Sequence, residues 1–142
     1  MRKVAEWARK LIGERAIPLF TGPLLVIYHH RIPAPLSKRQ WRRNEYHLLP
    51  CWARPDEDNL GKFINDALNG IVWKDDSQIC FVVRTKSITS AKVGETFLHV
   101  RPLSPTEAFD YGAILDTITK NLTVDGHDDT ETRLLRVCDP RH

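Results

Sequence analysis

Residues 54–78 have the sequence RPDEDNLGKFINDALNGIVWKDDSQ, and this stretch decides the fold because it holds one clear helix with acidic residues at both ends. Apolar side chains recur in it at the spacing of one helix face, at Leu60, Phe63, Ile64, Ala67 and Leu68. Asp58 is a natural N-cap residue, and Gly70 stands where a helix commonly ends in left-handed backbone. The pattern predicts a helix over residues 58–70.

Two pairs of carboxylates flank this predicted helix. Asp56 and Asp58 are two apart, and residues so spaced point the same way in extended backbone, so we expect their side chains to converge. Asp75 and Asp76 follow the helix and precede a strand, which lets the returning chain bring one of them beside the first pair. Clustered carboxylates repel one another unless a cation neutralises them, and hard oxygen ligands suit Mg²⁺ or Mn²⁺. With Lys62 one turn after Asp58, they predict metal-assisted phosphodiester hydrolysis.

Each of these residues also has an ordinary structural explanation. Asp58 alone fits a helix cap, Asp75 and Asp76 fit a turn, and Lys62 can pair with Asp66 on a solvated helix face. An Asp-x-Asp also occurs in nucleotidyltransferases and glycosyltransferases, although this short chain has no Gly-rich phosphate loop. A metal-dependent nucleotidyltransferase therefore stays open as another function.

The segments on both sides of this stretch predict further helices and strands. We expect helices over residues 2–15 and 105–120, and strands over residues 24–32, 78–88, 96–101 and 133–137. Ser104 to Glu107 has the pattern of a capping box, which places the start of the later helix near Pro105. The second and third strands are joined by a short segment containing Gly94 and are predicted to form a hairpin. We expect Trp7 and Trp52 to anchor the core or a loop, and Trp73 to pack beneath the acids.

Composition limits the classes of protein. A chain of 142 residues fits one compact domain, and it has no apolar run of the roughly 20 residues that a membrane span needs. The N-terminal segment lacks the apolar centre of a signal peptide, so we expect a cytoplasmic protein without a membrane partner. Cys51, Cys80 and Cys138 form no C-x-x-C pair, which predicts reduced thiols rather than a zinc or redox site.

Charge is distributed unevenly along the chain. Residues 1–54 carry 11 Lys and Arg against 3 Asp and Glu, whereas residues 55–142 carry 10 against 15. Many of the early cations lie in a long loop predicted over residues 33–53. A basic part beside an acidic part suits an enzyme whose cations hold phosphates and whose carboxylates hold metal ions, although a solvated surface can show the same split.

The combined spacing of these residues resembles that of a known family. The matching run comprises Asp56-x-Asp58-Asn59-Leu60-x-Lys62, Asp66-Ala67-Leu68-x-Gly70 and Trp73-x-Asp75-Asp76-x-Gln78. It is similar to the RusA family of Holliday junction resolvases, and the predicted order of helices and strands agrees with that family over about residues 1–102. The resemblance implies an α+β fold with a small mixed sheet and packed helices, assembled as a homodimer. It also implies Mg²⁺-dependent cutting of four-way DNA junctions by paired symmetric nicks.

The resemblance assigns roles to individual residues. Asp56, Asp58 and Asp76 match the family's metal-binding catalytic acids, Lys62 matches its functional lysine, and Asp75 occupies the supporting acid position. Basic residues that often precede the first acids in the family are reduced here to Arg54. We therefore expect the upstream loop to take over phosphate contacts, with Trp41 stacking on exposed bases; its cations are Lys38, Arg39, Arg42 and Arg43.

The chain also departs from the family. Members usually begin with a short Pro-rich strand, whereas this chain begins within the first helix, so a sheet edge is expected to be missing or supplied differently. That departure leaves open a catalytically weakened protein of the same fold that binds junctions without cutting them. Residues 103–142 have no counterpart in the resemblance, and we expect them to form a C-terminal extension of one helix and a polar tail after an endonuclease domain over residues 1–102.

Overall fold

The computed structural model describes residues 2–15, 18–34, 49–52, 54–89, 94–123 and 133–138. The helices are α1 (Arg2–Arg15), α2 (Glu57–Leu68) and α3 (Tyr111–Thr123), with a short 3₁₀ helix over Asp76–Gln78. The strands are β1 (Leu24–Pro33), β2 (Leu49–Pro50), β3 (Ile79–Thr89), β4 (Glu95–Pro102) and β5 (Arg133–Cys138). This arrangement confirms the α+β class predicted from the sequence.

The strands form one mixed sheet in the order β2-β3-β1-β4-β5. β1 pairs with β3 in parallel and with β4 antiparallel, so it lies between them. The predicted hairpin of β3 with β4 is therefore wrong. The physical reason is burial: Leu24, Leu25, Val26 and Ile27 of β1 are buried on both faces, and the central place in the sheet keeps them from water.

Helices cover both faces of the sheet. On one face, α1 and α2 pack over alternate residues of β1 and β4; this cluster includes Val4, Ala8, Leu24, Val26, Tyr28, Ile64, Ala67, Leu68, Leu98 and Val100. On the other face, Ile114 of α3 packs against Leu25 and Ile27. Each fully buried Val, Leu or Ile contributes about 1.5–3 kcal/mol, so the larger cluster fixes where α2 lies on the sheet.

The helix predictions have mixed outcomes. α1 has the predicted bounds, and Gly70 has the expected left-handed backbone, with φ 72°. The predicted start of the last helix near Pro105 is wrong, because Oδ1 of Asp110 accepts a hydrogen bond from the Ala113 amide (3.0 Å) and α3 begins at Tyr111. Upstream of it, Leu103 continues the strand direction, donating its amide hydrogen to the carbonyl of Pro23 (2.8 Å).

The C-terminal segment adds to the sheet. β5, a strand expected from the sequence, pairs antiparallel with β4 from Glu95↔Cys138 to Val100↔Arg133. Cys51 and Cys80 are free thiols, as expected, and the side chain of Cys138 lies outside the description. No helix within the described ranges is long and apolar enough to cross a membrane.

Candidate active site

The first acid pair lies at the N-terminal end of α2. Asp56 occupies the N-cap position with extended backbone (φ −67°, ψ 146°), but its side chain makes no capping hydrogen bond. Asp58 is the second residue of the helix rather than its N-cap, so the predicted cap is wrong. The two acids also do not share one extended segment, because the backbone becomes helical at Glu57. Both carboxylates are exposed at the helix end where the backbone dipole favours negative charge.

Lys62 lies one helical turn after Asp58, and it is exposed. Among the described residues, the ion pairs are Arg2–Glu6, Lys10–Glu14 and Arg84–Glu57 where both partners are defined, and Lys62 takes part in none of these. The alternative in which Lys62 pairs with Asp66 is thus not what the structure shows. The ammonium group is available to an anion beside the first acid pair.

Two cations of β3 hold the segment that carries the first acid pair. Nζ of Lys86 donates a hydrogen bond to the carbonyl oxygen of Pro55 (2.7 Å), and the preceding Arg54–Pro55 peptide bond is cis. Nε of Arg84 lies 3.4 Å from Oε1 of Glu57, the residue between the two acids. Sequence reasoning missed these contacts, and the available signal was a pair of cations two apart on one face of a predicted strand.

The second acid pair lies at the 3₁₀ helix Asp76–Gln78. Oδ1 of Asp75 accepts a hydrogen bond from the Ser77 amide (2.9 Å), and hydrogen bonds from Ser77 lower the pKa of the Asp75 carboxyl. Oε1 of Gln78 accepts from the Asp75 amide (2.9 Å), which completes a capping box. Nε2 of Gln78 donates to the carbonyls of Phe20 (3.1 Å) and Gly22 (2.8 Å), so the turn is tied to the chain just before β1. The Asp76 carboxylate stays exposed.

Tyr28 lies on the sheet beneath α2. Its hydroxyl donates a hydrogen bond to Oδ1 of Asn65 on α2. Burial raises the pKa of Tyr28; the charge of Arg84 opposes the shift, and the charges of Asp76 and Glu57 add to it. Asp76 and Glu57, the residue between Asp56 and Asp58, therefore both lie within electrostatic range of this phenol group.

Two of the three described tryptophans, Trp52 and Trp73, lie near the acids in the chain and have different environments. Trp73 is fully buried, and its Nε1 donates to Oδ1 of Asn69 (2.8 Å), which agrees with its predicted packing. Trp52 is 90% exposed, so the expectation that it anchors a loop or the core is wrong. It stands two residues before Arg54, which is also exposed. An aromatic ring and a cation therefore adjoin the first acid pair along the chain.

The carboxylate oxygens of these acids are suitable ligands for a hard divalent cation, but the acids do not form a closed set of ligands around one point. Within the described ranges, no three His, Cys, Asp or Glu side chains lie close enough to share one ion. Mg²⁺ often takes only one or two protein carboxylates, together with waters and substrate phosphates. The exposed carboxylates of Asp56, Asp58 and Asp76 are available to supply one or two such ligands. Lys38, Arg39, Trp41, Arg42 and Arg43 lie outside the described residues.

The fold and the site define a class of protein: a small α+β domain with a mixed sheet, in which exposed carboxylate pairs precede and follow one helix and exposed cations stand beside the first pair in the chain. Residues 1–99 match the sequence profile of the family described as endodeoxyribonuclease RusA, and the chain belongs to this family of junction-resolving endonucleases. The match spans Asp56, Asp58, Lys62 and Asp76. Nucleases of this family are generally dependent on divalent metals.

One curated relative extends this comparison. The uncharacterized protein YqaN of Bacillus subtilis (strain 168) is 37% identical over 65 residues, which cover 43% of this chain and 46% of the relative. The chain thus aligns with about half the length of that protein. No solved structure matches.

Proposed function

We propose that this chain is the catalytic part of a Mg²⁺-dependent endodeoxyribonuclease that cuts four-way DNA junctions by paired symmetric nicks. One observation supports the proposal: in a chain of the RusA family, the acids of the family match are exposed at the start of α2 and at the 3₁₀ helix that follows it, and Glu57 and Asp76 both lie within electrostatic range of Tyr28. Exposed Lys62 and Arg54 stand next to the first pair and suit the phosphates of DNA.

In this proposal, one or two of the carboxylates of Asp56, Asp58 and Asp76 bind the ion together with water and a DNA phosphate, with Asp75 in support. The bound ion would supply an activated water and stabilise charge on the phosphate. Lys62 would hold a non-bridging phosphate oxygen and stabilise the charge that develops on it during cleavage. Arg54 and the loop cations Lys38, Arg39, Arg42 and Arg43 would bind the DNA backbone away from the cut.

We further propose a homodimer. A four-way junction has approximate two-fold symmetry, and two nicks placed symmetrically require two active sites related by the same axis. A dimer with an isologous interface provides that arrangement without any additional component.

A cleavage assay on matched substrates tests the proposal. Labelled four-way junction and linear duplex are incubated with Mg²⁺ or EDTA and with the wild type, Asp76→Asn or Asp116→Asn. Asp116 is an exposed acid of α3 and serves as the matched control. We expect paired nicks in the junction alone and only with Mg²⁺, a loss of about 100-fold or more in Asp76→Asn with junction binding retained, and no change in Asp116→Asn.

Two other outcomes would replace the proposal. Binding of the junction by the wild type without cleavage would indicate a junction-binding protein of the same fold. Incorporation of labelled nucleotide into DNA would indicate a nucleotidyltransferase. Normal cutting by Asp76→Asn would contradict the assignment of that acid.

The DNA-contact residues are tested separately by affinity. Reversing the charge of Arg42 and Arg43 is expected to weaken junction binding and to flatten its dependence on salt, because fewer phosphate counterions are then released. Trp52→Ala is expected to weaken binding by roughly tenfold if its exposed ring stacks on a base. Unchanged affinity in both variants would show that the DNA binds elsewhere on the protein.

A further inference from the structure

Arg84 lies between the sheet and the start of α2. It belongs to β3 and pairs in register with Tyr28 of β1, and its guanidinium carbon lies 5.5 Å from the centre of the Tyr28 ring. Its Nε is 3.4 Å from Oε1 of Glu57. The Arg84 side chain is 27% exposed and that of Glu57 is 34% exposed, so the two charges are paired in a partly dehydrated place. Coulombic attraction is stronger there than between fully solvated groups.

Gly61 makes room for this guanidinium. A Cβ at position 61 would lie 2.7 Å from Nε of Arg84, 3.1 Å from Cζ and 3.2 Å from Cδ. Such contacts are too short, so any larger residue would displace the end of the Arg84 side chain. Glycine is among the poorest residues for a helix interior, and here its missing side chain has a specific use.

Glu57 stands between Asp56 and Asp58 in the chain, so an ion pair that holds Glu57 also limits how the two acids turn. The bond from Lys86 to the Pro55 carbonyl adds a second tether two residues along the same strand. We propose that Arg84 is a positioning residue: with Gly61 leaving space for it, Arg84 holds Glu57 against β3 and thereby orients the Asp56–Asp58 pair. This inference rests on the proposed function of that pair.

Gly61→Ala tests the inference because it displaces Arg84 without changing any charge. Gly13→Ala in α1 is the matched control, since the same substitution there meets no atom within 4 Å. Three quantities are measured: the single-turnover rate of junction cleavage at saturating enzyme, junction affinity in EDTA, and metal-free amide hydrogen exchange over residues 57–62. Circular dichroism confirms that each variant is folded.

We expect Gly61→Ala to slow single-turnover cleavage by about tenfold or more, in the range found for misplaced groups that support a metal site. Junction affinity should stay within about twofold, because Arg84 does not contact the DNA in this proposal, and exchange over residues 57–62 should accelerate. Gly13→Ala should match the wild type in all three measurements. Glu57→Gln, which removes the other half of the ion pair, should slow cleavage in the same way.

The results separate this inference from the proposed function. If the wild type cuts junctions and Gly61→Ala has the same rate and exchange, Arg84 does not position the acids. Weaker junction binding in Gly61→Ala at an unchanged cleavage rate would also overturn the inference, since Arg84 would then be a DNA contact. A wild type that never cuts junctions contradicts the proposed function. In that case, faster amide hydrogen exchange over residues 57–62 in Gly61→Ala than in the wild type still supports the positioning role of Arg84.

Discussion

The two acid pairs are held in place by different forces. Charged side chains of β3, Arg84 and Lys86, hold the segment that carries the first pair, and they act in a partly buried place. The second pair is held mainly by hydrogen bonds between the uncharged Gln78 side chain and backbone groups, two donated and one accepted, in a more exposed place. The position of the first pair therefore depends on charge and burial, whereas the position of the second pair depends on the geometry of hydrogen bonds to the backbone.

Lowering the pH should reduce the stability of the sheet near the first acid pair more than any of the substitutions below. His30 is 1% exposed and pairs in register with Lys86. Burial, with the charges of His29, Arg84 and Lys86, lowers the pKa of His30 to about 4. The unfolded chain binds this proton near pH 6.5, so stability present above that pH falls by about 3 kcal/mol as the pH drops to about 4.

Urea unfolding at about pH 7 and about pH 4.5 measures this loss. His30→Gln is the control, because glutamine can still bond to Oγ1 of Thr96, which lies 2.9 Å from Nδ1 of His30, and does not titrate. The variant should lose distinctly less stability than the wild type over this range. Equal losses of stability in the wild type and in His30→Gln would show that protonation of His30 does not cause the loss.

Arg84→Met should have the next largest effect. It leaves the Glu57 carboxylate partly buried without its partner, which is expected to lower the free energy of unfolding by about 1–2 kcal/mol. The double variant Glu57→Gln, Arg84→Met should recover part of that loss, because no unpaired charge remains. Additive effects in urea unfolding would show that the two side chains are not coupled.

Gln78→Ala tests the second region. It removes bonds to the Phe20 and Gly22 carbonyls and one from the Asp75 amide. Water replaces part of them at this exposed turn, so the expected loss is about 1 kcal/mol. Gln78→Glu keeps the oxygen that accepts from the Asp75 amide but loses the NH₂ group that donates to the two carbonyls. If urea unfolding shows that Gln78→Glu loses as much stability as Gln78→Ala, the stabilisation comes from the two carbonyl contacts.

Asp75→Asn should have the smallest effect on stability, within about 0.5 kcal/mol, because asparagine caps a helix as well as aspartate does. Asp75→Ala should cost about 1 kcal/mol. We expect Asp75→Asn to reduce cleavage less than Asp76→Asn, because Ser77 already occupies one oxygen of Asp75. A larger cleavage defect in Asp75→Asn would make Asp75 the principal acid of its pair.

Much of the fold could be predicted from local patterns. Periodicity gave the bounds of α1 and nearly those of α2, and the position of Gly70 predicted its left-handed backbone. The order of β3, β1 and β4 could not be predicted, since two half-buried strands close in sequence resemble a hairpin whether or not a third strand lies between them. The start of α3 was wrong because a local capping signal competes with the pairing and packing of Leu103.

The site was predictable only in part. Residue types and spacing were enough to propose Asp56, Asp58, Asp76 and Lys62, but those roles stay predictions. The extended backbone expected for the first pair was wrong, because the N-cap is Asp56 rather than Asp58 and the helix begins at Glu57. The contacts of Arg84 depend on the register of β3 beneath α2, which no local pattern contains.

The central place of β1 has a consequence for synthesis on the ribosome. Its residues Leu24–Tyr28 are buried in the folded protein, and they emerge well before β3 and β4, which end at Thr89 and Pro102. Pairing with either strand closes a long loop, which slows folding and leaves an aggregation-prone segment uncovered in the meantime. We expect stalled nascent chains to become protease-resistant only after residue 102 has left the exit tunnel, so a chaperone would be needed most before that length.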